Sequence, residues 1–269
     1  MLLSYAYIRI ARGLHADTSA LQLVVNRLGL TIMAKLNQVL AMRTTRTIFM
    51  VLLLTGHGLA CAGLEEGAAA YRQADYATAA REFRALADEG NADAQNELAR
   101  LYRKGQGVPQ DYTEAVHLYN MAAQQGNSTA QNNLGMMYRK GLGVRQDDTT
   151  ARMWFSYAAK QGNNSAKYNI GVMYKNGLGV PQDYTEAVKW YRMAAEQGVA
   201  KAQNSLGMMY HEGLGVPQDN VQAYKWLYIA NANGYESDVE YRNMVASKMT
   251  PEQLTKAKNL AGEWMKWQP

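Results

Sequence analysis

The sequence predicts an all-α fold, a solenoid of helix-turn-helix repeats, and three observations predict it. Glycines recur at Gly90, Gly126, Gly162, Gly198 and Gly234, always 36 residues apart. A fixed period in that range marks stacked repeats rather than one closed core. Between successive glycines the apolar residues follow a helical spacing twice over, with a glycine-bearing turn between the two runs.

The stretch Gly162 to Gly198 shows the unit best. A first helix is expected over roughly Ala166 to Lys175, with Ala166, Ile170, Met173 and Tyr174 on its apolar side. The turn Asn176-Gly177-Leu178-Gly179-Val180-Pro181 carries two glycines that can take positive φ. Asp183 then caps a second helix, and Glu186 stands three residues on, at capping-box spacing. Asp111 and Glu114 repeat that pairing, Asp219 and Gln222 resemble it, and Asp147 with Thr150 keeps only the Asp. Ala187, Trp190, Tyr191, Ala194 and Ala195 form the second apolar side, and Gly198 closes the helix.

Small residues share one register in the first helices: Ala99, Gly135, Gly171 and Gly207. A glycine inside a helix costs about 1 kcal/mol against alanine, so three at one register point to close helix packing. One unit cannot bury its own apolar face, and stacked neighbours supply the core. Tyr102, Tyr138, Tyr174 and Tyr210 share a second register and Trp154, Trp190 and Trp226 a third; both are expected in that core.

The recurring pattern A-x-x-x-L-G-x-M-Y-x-x-G-x-G-V-x-x-D-x-x-x-A-x-x-W-Y-x-x-A-A-x-x-G resembles the Sel-one-like repeat, a relative of the tetratricopeptide repeat. The resemblance covers four units over residues 91–234. It implies a right-handed, tetratricopeptide-like α/α superhelix that serves as an adaptor for protein partners, often in bacterial envelope or signalling complexes. It implies no single reaction or ligand. Some secreted relatives are associated with β-lactam or cell-wall-peptide hydrolysis and resemble disulfide-stapled solenoids. Cys61 is the only cysteine here, so no intramolecular disulfide and no cysteine metal cluster can form, and those properties do not carry over.

The formal net charge of +5 sits at one end of the chain. Residues 1–62 hold six Lys or Arg and one Asp, whereas residues 63–269 hold 22 basic and 22 acidic residues. The repeats are therefore no polycation, and a general nucleic-acid role lacks its electrostatic basis.

Residues 1–41 match no repeat and read as a non-native or disordered extension. Residues 42–62 have the order of a secretory signal peptide: Arg43 and Arg46, the apolar run Ile48 to Leu54, then Ala60-Cys61-Ala62 as an A-x-A cleavage site. The run is too short for a stable transmembrane helix of ~20 residues. Cleavage after Ala62 is preferred over a lipid on Cys61, because Gly58 stands where a lipobox usually has Leu. The mature chain is expected to be periplasmic or secreted, without a stable transmembrane span, and monomeric. Residues 63–90 read as a partial, capping unit in which Tyr71, Tyr76, Ala79, Ala80, Phe83 and Ala87 form a second-helix face. Residues 235–269 read as capping helices, one over Asp238 to Lys248. A second, amphipathic helix starts at Thr250-Pro251-Glu252-Gln253 and carries Leu254, Ala257, Leu260, Ala261, Trp264 and Met265.

No catalytic residue, metal ligand or cofactor site is expected. His117 and His211 lie in different units, where they read as surface or groove residues, and residues 63–269 lack G-x-S-x-G and S-x-x-K signatures. Function is instead expected where the units differ, on the first-helix face opposite the core. That face reads Asp93, Glu97, Arg100, Lys104; then Thr129, Asn133, Met136, Lys140; then Ser165, Asn169, Val172, Asn176; then Lys201, Ser205, Met208, Glu212. The expected function is an exported, non-catalytic scaffold that binds a protein or peptide in this groove along an apolar strip of Met136, Val172 and Met208. The alternatives are a peptidoglycan binder and a β-lactam or cell-wall-peptide hydrolase.

Overall fold

The structure, a computed structural model, describes residues 63–235 and 239–266. The expectations for residues 1–41, for the 42–62 signal segment and for Ala60, Cys61 and Ala62 lie outside the described residues. Among those described, twelve helices and no strand are present. In chain order they are α1 (63–72), α2 (Tyr76–Asp88), α3 (Ala92–Lys104), α4 (Tyr112–Gln124), α5 (Ser128–Lys140), α6 (Asp148–Lys160), α7 (Asn164–Asn176), α8 (Tyr184–Ala195), α9 (Ala200–Glu212), α10 (Asn220–Ala232), α11 (Val239–Ser247) and α12 (Pro251–Lys266). Each helix from α2 to α10 packs on the next, so the core is a continuous seam between neighbours.

Sequence dictates the ends of each helix. The second helices start at Asp111, Asp147, Asp183 and Asp219, each accepting one or two backbone N–H bonds at 2.8–3.0 Å. The expected capping box is only half present. The N–H of each Asp goes back to the carbonyl of Tyr102, Tyr138, Tyr174 or Tyr210, so no Glu is needed to satisfy it, and Glu186 pairs with Lys189 at 2.9 Å instead. The reciprocal box does form at α12, where Thr250 N donates to Gln253 Oε1 and Gln253 N to Thr250 Oγ1. The first helices α3, α5 and α7 are capped by Asn91, Asn127 and Asn163, a signal the sequence reading did not use.

The two kinds of conserved-period glycine do different work. Gly162 has φ +88 and would set a Cβ in open space, so its left-handed backbone alone selects glycine. Gly179 has φ +64 and would also set a Cβ 2.7 Å from the carbonyl carbon of Asp148, at the start of the preceding unit's second helix. The turn of one repeat is thus pressed onto the backbone of the repeat before it, which makes the stack rigid at that point.

The sequence reading of the aromatic registers needs correction. Trp226 is buried, but Trp154 and Trp190 are half-buried, as are Tyr102, Tyr138, Tyr174 and Tyr210. The Tyr210 hydroxyl accepts from Arg192 at 2.8 Å and that of Tyr102 accepts from Arg84, so these rings lean on the core with their polar tips outward. The large buried positions are Phe83, Tyr119, Phe155, Tyr191 and Leu227 instead. Tyr71 lies in α1 and not on the second-helix face, so residues 63–88 form a complete helix pair. At the other end α12 covers α10: Ala261 shares a buried cluster with Trp226 and Ile229, Ala257 one with Tyr224 and Leu227, and the Trp264 ring meets Trp226 edge to face at 5.6 Å.

Candidate functional site

The first helices α3, α5 and α7 are joined by a ladder of side-chain bonds. Asn133 Nδ2 donates to Asn96 Oδ1 at 3.1 Å and Asn169 Nδ2 donates to Asn132 Oδ1 at 2.9 Å. Each rung joins one unit to the residue 37 positions on. The sequence reading puts Asn133, Asn169 and Ser205 on an open face. The structure gives the amides of Asn133 and Asn169 to the ladder; Asn169 is 7% exposed and Ser205 is half-buried.

The residues of the apolar strip are half-buried rather than open. Met136, Val172 and Met208 pack against the clusters that hold Phe155, Tyr191 and Leu227 respectively, the large buried side chains of their own units' second helices. The ends of the expected groove are occupied as well. Arg100 pairs with Glu97 and its guanidinium lies 4.1 Å over the Tyr71 ring, while Lys104 Nζ donates to the Tyr71 hydroxyl at 3.3 Å. Glu212 accepts from the Tyr241 hydroxyl at 3.3 Å, and Asn176 donates back to the carbonyl of Val172. His117 is exposed, but His211 is buried, with Nδ1 2.7 Å from Asn220 Oδ1, its ring edge-on to Tyr241 and Nε2 3.3 Å from Lys248 Nζ. It anchors the C-terminal cap rather than a groove.

Four of the twelve candidates, Asn133, Met136, Lys140 and Asn169, line one cleft of about 290 Å³ that runs along the first helices. Ser165 and Lys201, from the same face, line it too. Arg103, Asn132 and Tyr168 also line it and were missed, because the cleft wall includes the register one residue earlier than the face drawn from sequence; Val199, at the cap position of α9, was missed because it lies outside that face altogether.

At this cleft the chain departs from its own repeat. Units one, two and four carry Gln95-Asn96, Gln131-Asn132 and Gln203-Asn204; unit three carries Lys167-Tyr168. The three glutamines are buried and form a second ladder. Gln95, Gln131 and Gln203 donate to the carbonyls of Ala87, Ala123 and Ala195, and they accept from Gln125, Gln161 and Asn233. Unit three gives up that rung. Unit four gives up its cap: Val199 stands where the others have Asn, with no side-chain cap bond, a loss of about 1 kcal/mol. Lys201 lies in the first turn of α9, where a cation opposes the helix dipole by ~0.3–1 kcal/mol. Residues that break local rules together, at one place, are the signal for function available in a single sequence.

The electrostatics of the cleft are one-sided. Arg103, Lys140 and Lys201 line it, and among the described residues no Asp or Glu does. Burial pushes the Tyr168 and Tyr191 hydroxyls up from the ordinary tyrosine range. Among the described residues no group of three His, Cys, Asp or Glu side chains comes together as a metal site, and no helix is long and apolar enough to cross a membrane.

Comparison with known proteins bears on the repeats themselves. The Sel1 repeat family matches at residues 92–127, 128–163, 164–199 and 200–235, more than half of the chain. A protective antigen present in uropathogenic Escherichia coli strains, displaying an SLR fold, is 39% identical with a TM-score of 0.67; the match covers 70% of this chain and 41% of that one. The present chain thus spans about two fifths of that protein. A Sel1 repeat protein from Oxalobacter formigenes is 35% identical with a TM-score of 0.60, over 64% of this chain and 70% of that one. No curated protein matches.

Proposed function

Because the chain belongs to the Sel1 repeat family, whose repeats typically mediate protein–protein interaction, we propose that it is a non-catalytic scaffold holding a protein or peptide partner in the cleft along α3, α5, α7 and α9. The observation that carries this is the coincidence of Tyr168, Val199 and Lys201 at one cleft: Tyr168 and Val199 depart from the chain's own repeat, and Val199 and Lys201 are costly to a helix. Polar walls around the half-buried Met136 give the apolar centre and wet rim of a binding surface. Affinity capture tests it. A Lys140→Glu/Lys201→Glu bait changes two exposed side chains of the cleft, and a Met153→Asp/Tyr157→Asp bait changes two on the outer side of α6, which are 42% and 46% exposed. The first should lose the partner recovered by the native chain and the second should keep it; the reverse result rejects the cleft.

The scaffold is further proposed to act outside the cytoplasm, on the strength of the signal-like order of residues 42–62. Intact mass of the exported chain should place its N-terminus at Gly63. A chain that retains residues 42–62, or one lipidated on Cys61, contradicts this.

A further inference from the structure

We infer that the partner enters the cleft as an extended, acidic segment, its carboxylates held by Arg103, Lys140 and Lys201; this rests on the scaffold reading above. The three cations come from three different repeats, the first, second and fourth. Cations drawn from the first, second and fourth units suit a chain that crosses the first helices from unit to unit, at about 3.3 Å per residue when extended.

Helix chemistry accounts for only part of this charge. Arg103 and Lys140 stand in the last turns of α3 and α5, where a cation favours the helix end. Lys201 has the opposite placement, in the first turn of an uncapped helix, so its own helix does not explain it. Neither Lys140 nor Lys201 pairs with a carboxylate among the described residues, in contrast to Arg100 and Lys189, which do. Arg103 is half-buried, its Nε is buried without a hydrogen-bond partner, and its guanidinium lies beside the Tyr119 hydroxyl. It is a cation partly withdrawn from solvent rather than a freely solvated one.

A peptide fits better than a nucleic acid. Residues 63–269 carry equal numbers of acidic and basic groups, so the positive field is local to the cleft and would not track a long phosphate backbone. Single-stranded nucleic acids also need several aromatic platforms for their bases, and Tyr168 is the one aromatic ring among the described lining residues. Met136 and Leu142, both half-buried, instead offer an apolar floor to alternate side chains of an extended peptide.

The test uses fluorescence anisotropy with the chain from Gly63 to Pro269 and three labelled ten-residue peptides. Their sequences alternate Leu with Glu, Gln or Lys. The Glu peptide should bind most tightly and weaken as salt rises. Its affinity should fall at least tenfold in Lys140→Glu/Lys201→Glu. It should hold within twofold in Lys256→Glu/Lys258→Glu, which makes the same change in net charge on exposed positions of α12. Equal binding of the Glu and Gln peptides, both lost when Met136 is changed to Glu, would overturn the acidic-segment inference and leave the cleft scaffold standing. Equal loss in the two charge-matched variants would overturn the inference as a bulk charge effect. Displacement of the Glu peptide by an oligothymidylate at equal charge would overturn it in favour of general polyanion binding. Binding of all three peptides that ignores every cleft variant would overturn the inference and the scaffold reading together.

Discussion

The ring of Tyr191 lies against the backbone of Gly171, so close that a Cβ there would stand 2.7 Å from Cδ1 of the ring. Gly135 faces Phe155 and Gly207 faces Leu227 in the same way, which explains the small-residue register of the first helices. Alanine at 171 gains up to ~1 kcal/mol of helix propensity but must displace a buried ring, at ~1–3 kcal/mol. Gly171→Ala should therefore lower stability modestly in urea unfolding, and Gly171→Leu should lower it by at least ~3 kcal/mol more. A Leu variant as stable as the Ala variant would show that this ring contact does not hold the stack.

Tyr119 occupies the same register as Phe155 and Tyr191, and its hydroxyl is buried beside the Arg103 guanidinium without forming a hydrogen bond to it. Tyr119→Phe installs the residue that unit two already uses. It should be neutral or stabilising by up to ~1 kcal/mol at pH 7, because it removes an unsatisfied polar group. Loss of more than ~1 kcal/mol would show a hidden partner for the hydroxyl.

Alkaline pH gives a second reading of the same rings. Burial raises Tyr119, Tyr168 and Tyr191 above the ordinary value near 10. A group raised on folding contributes stability that is complete below its unfolded pKa and is lost as pH climbs toward its folded one. Stability should thus be flat up to about pH 10, then fall by about 1.4 kcal/mol per pH unit for each buried ring still protonated. Tyr119→Phe should make that slope shallower by one group. An unchanged slope would mean that Tyr119 ionises equally in both states.

Caps separate cost from function. Asn163 accepts from Ala166 N at 2.9 Å, and Asn163→Ala should cost about 1 kcal/mol. Val199→Asn supplies the cap that α9 lacks, against the loss of part of the packing of Val199 on its cluster. It should raise the melting temperature while weakening the Glu-peptide complex. Weaker folding of Val199→Asn would show that Val199 is retained for packing rather than for the cleft.

The repeat, the helix pairs and the Asp caps were legible because each rests on local residues repeated at a fixed spacing. Gly162 needs only its backbone angle, and Asp183 only the first turn of its own helix. The two ladders were not legible, because Asn133 bonds Asn96 and Gln131 bonds the Ala123 carbonyl across units, where no helical period aligns them. The face drawn for Met136 and Val172 used the phase of one helix, whereas both pack against clusters built from their own unit's second helix together with residues of the next unit. Unit three's Lys167-Tyr168 and unit four's Val199 were visible as departures from the pattern, but only the cleft shows that they meet.

Photo-crosslinking most directly tests the claim that partners lie in the cleft of the first helices. A benzophenone side chain is placed at Lys140, in the cleft, or at Tyr157, on the outer side of α6, and the chain is irradiated in an extract that contains the partner. The account predicts a partner adduct from position 140 that the unlabelled Glu peptide suppresses, and none from position 157. An adduct from position 157 alone would contradict it.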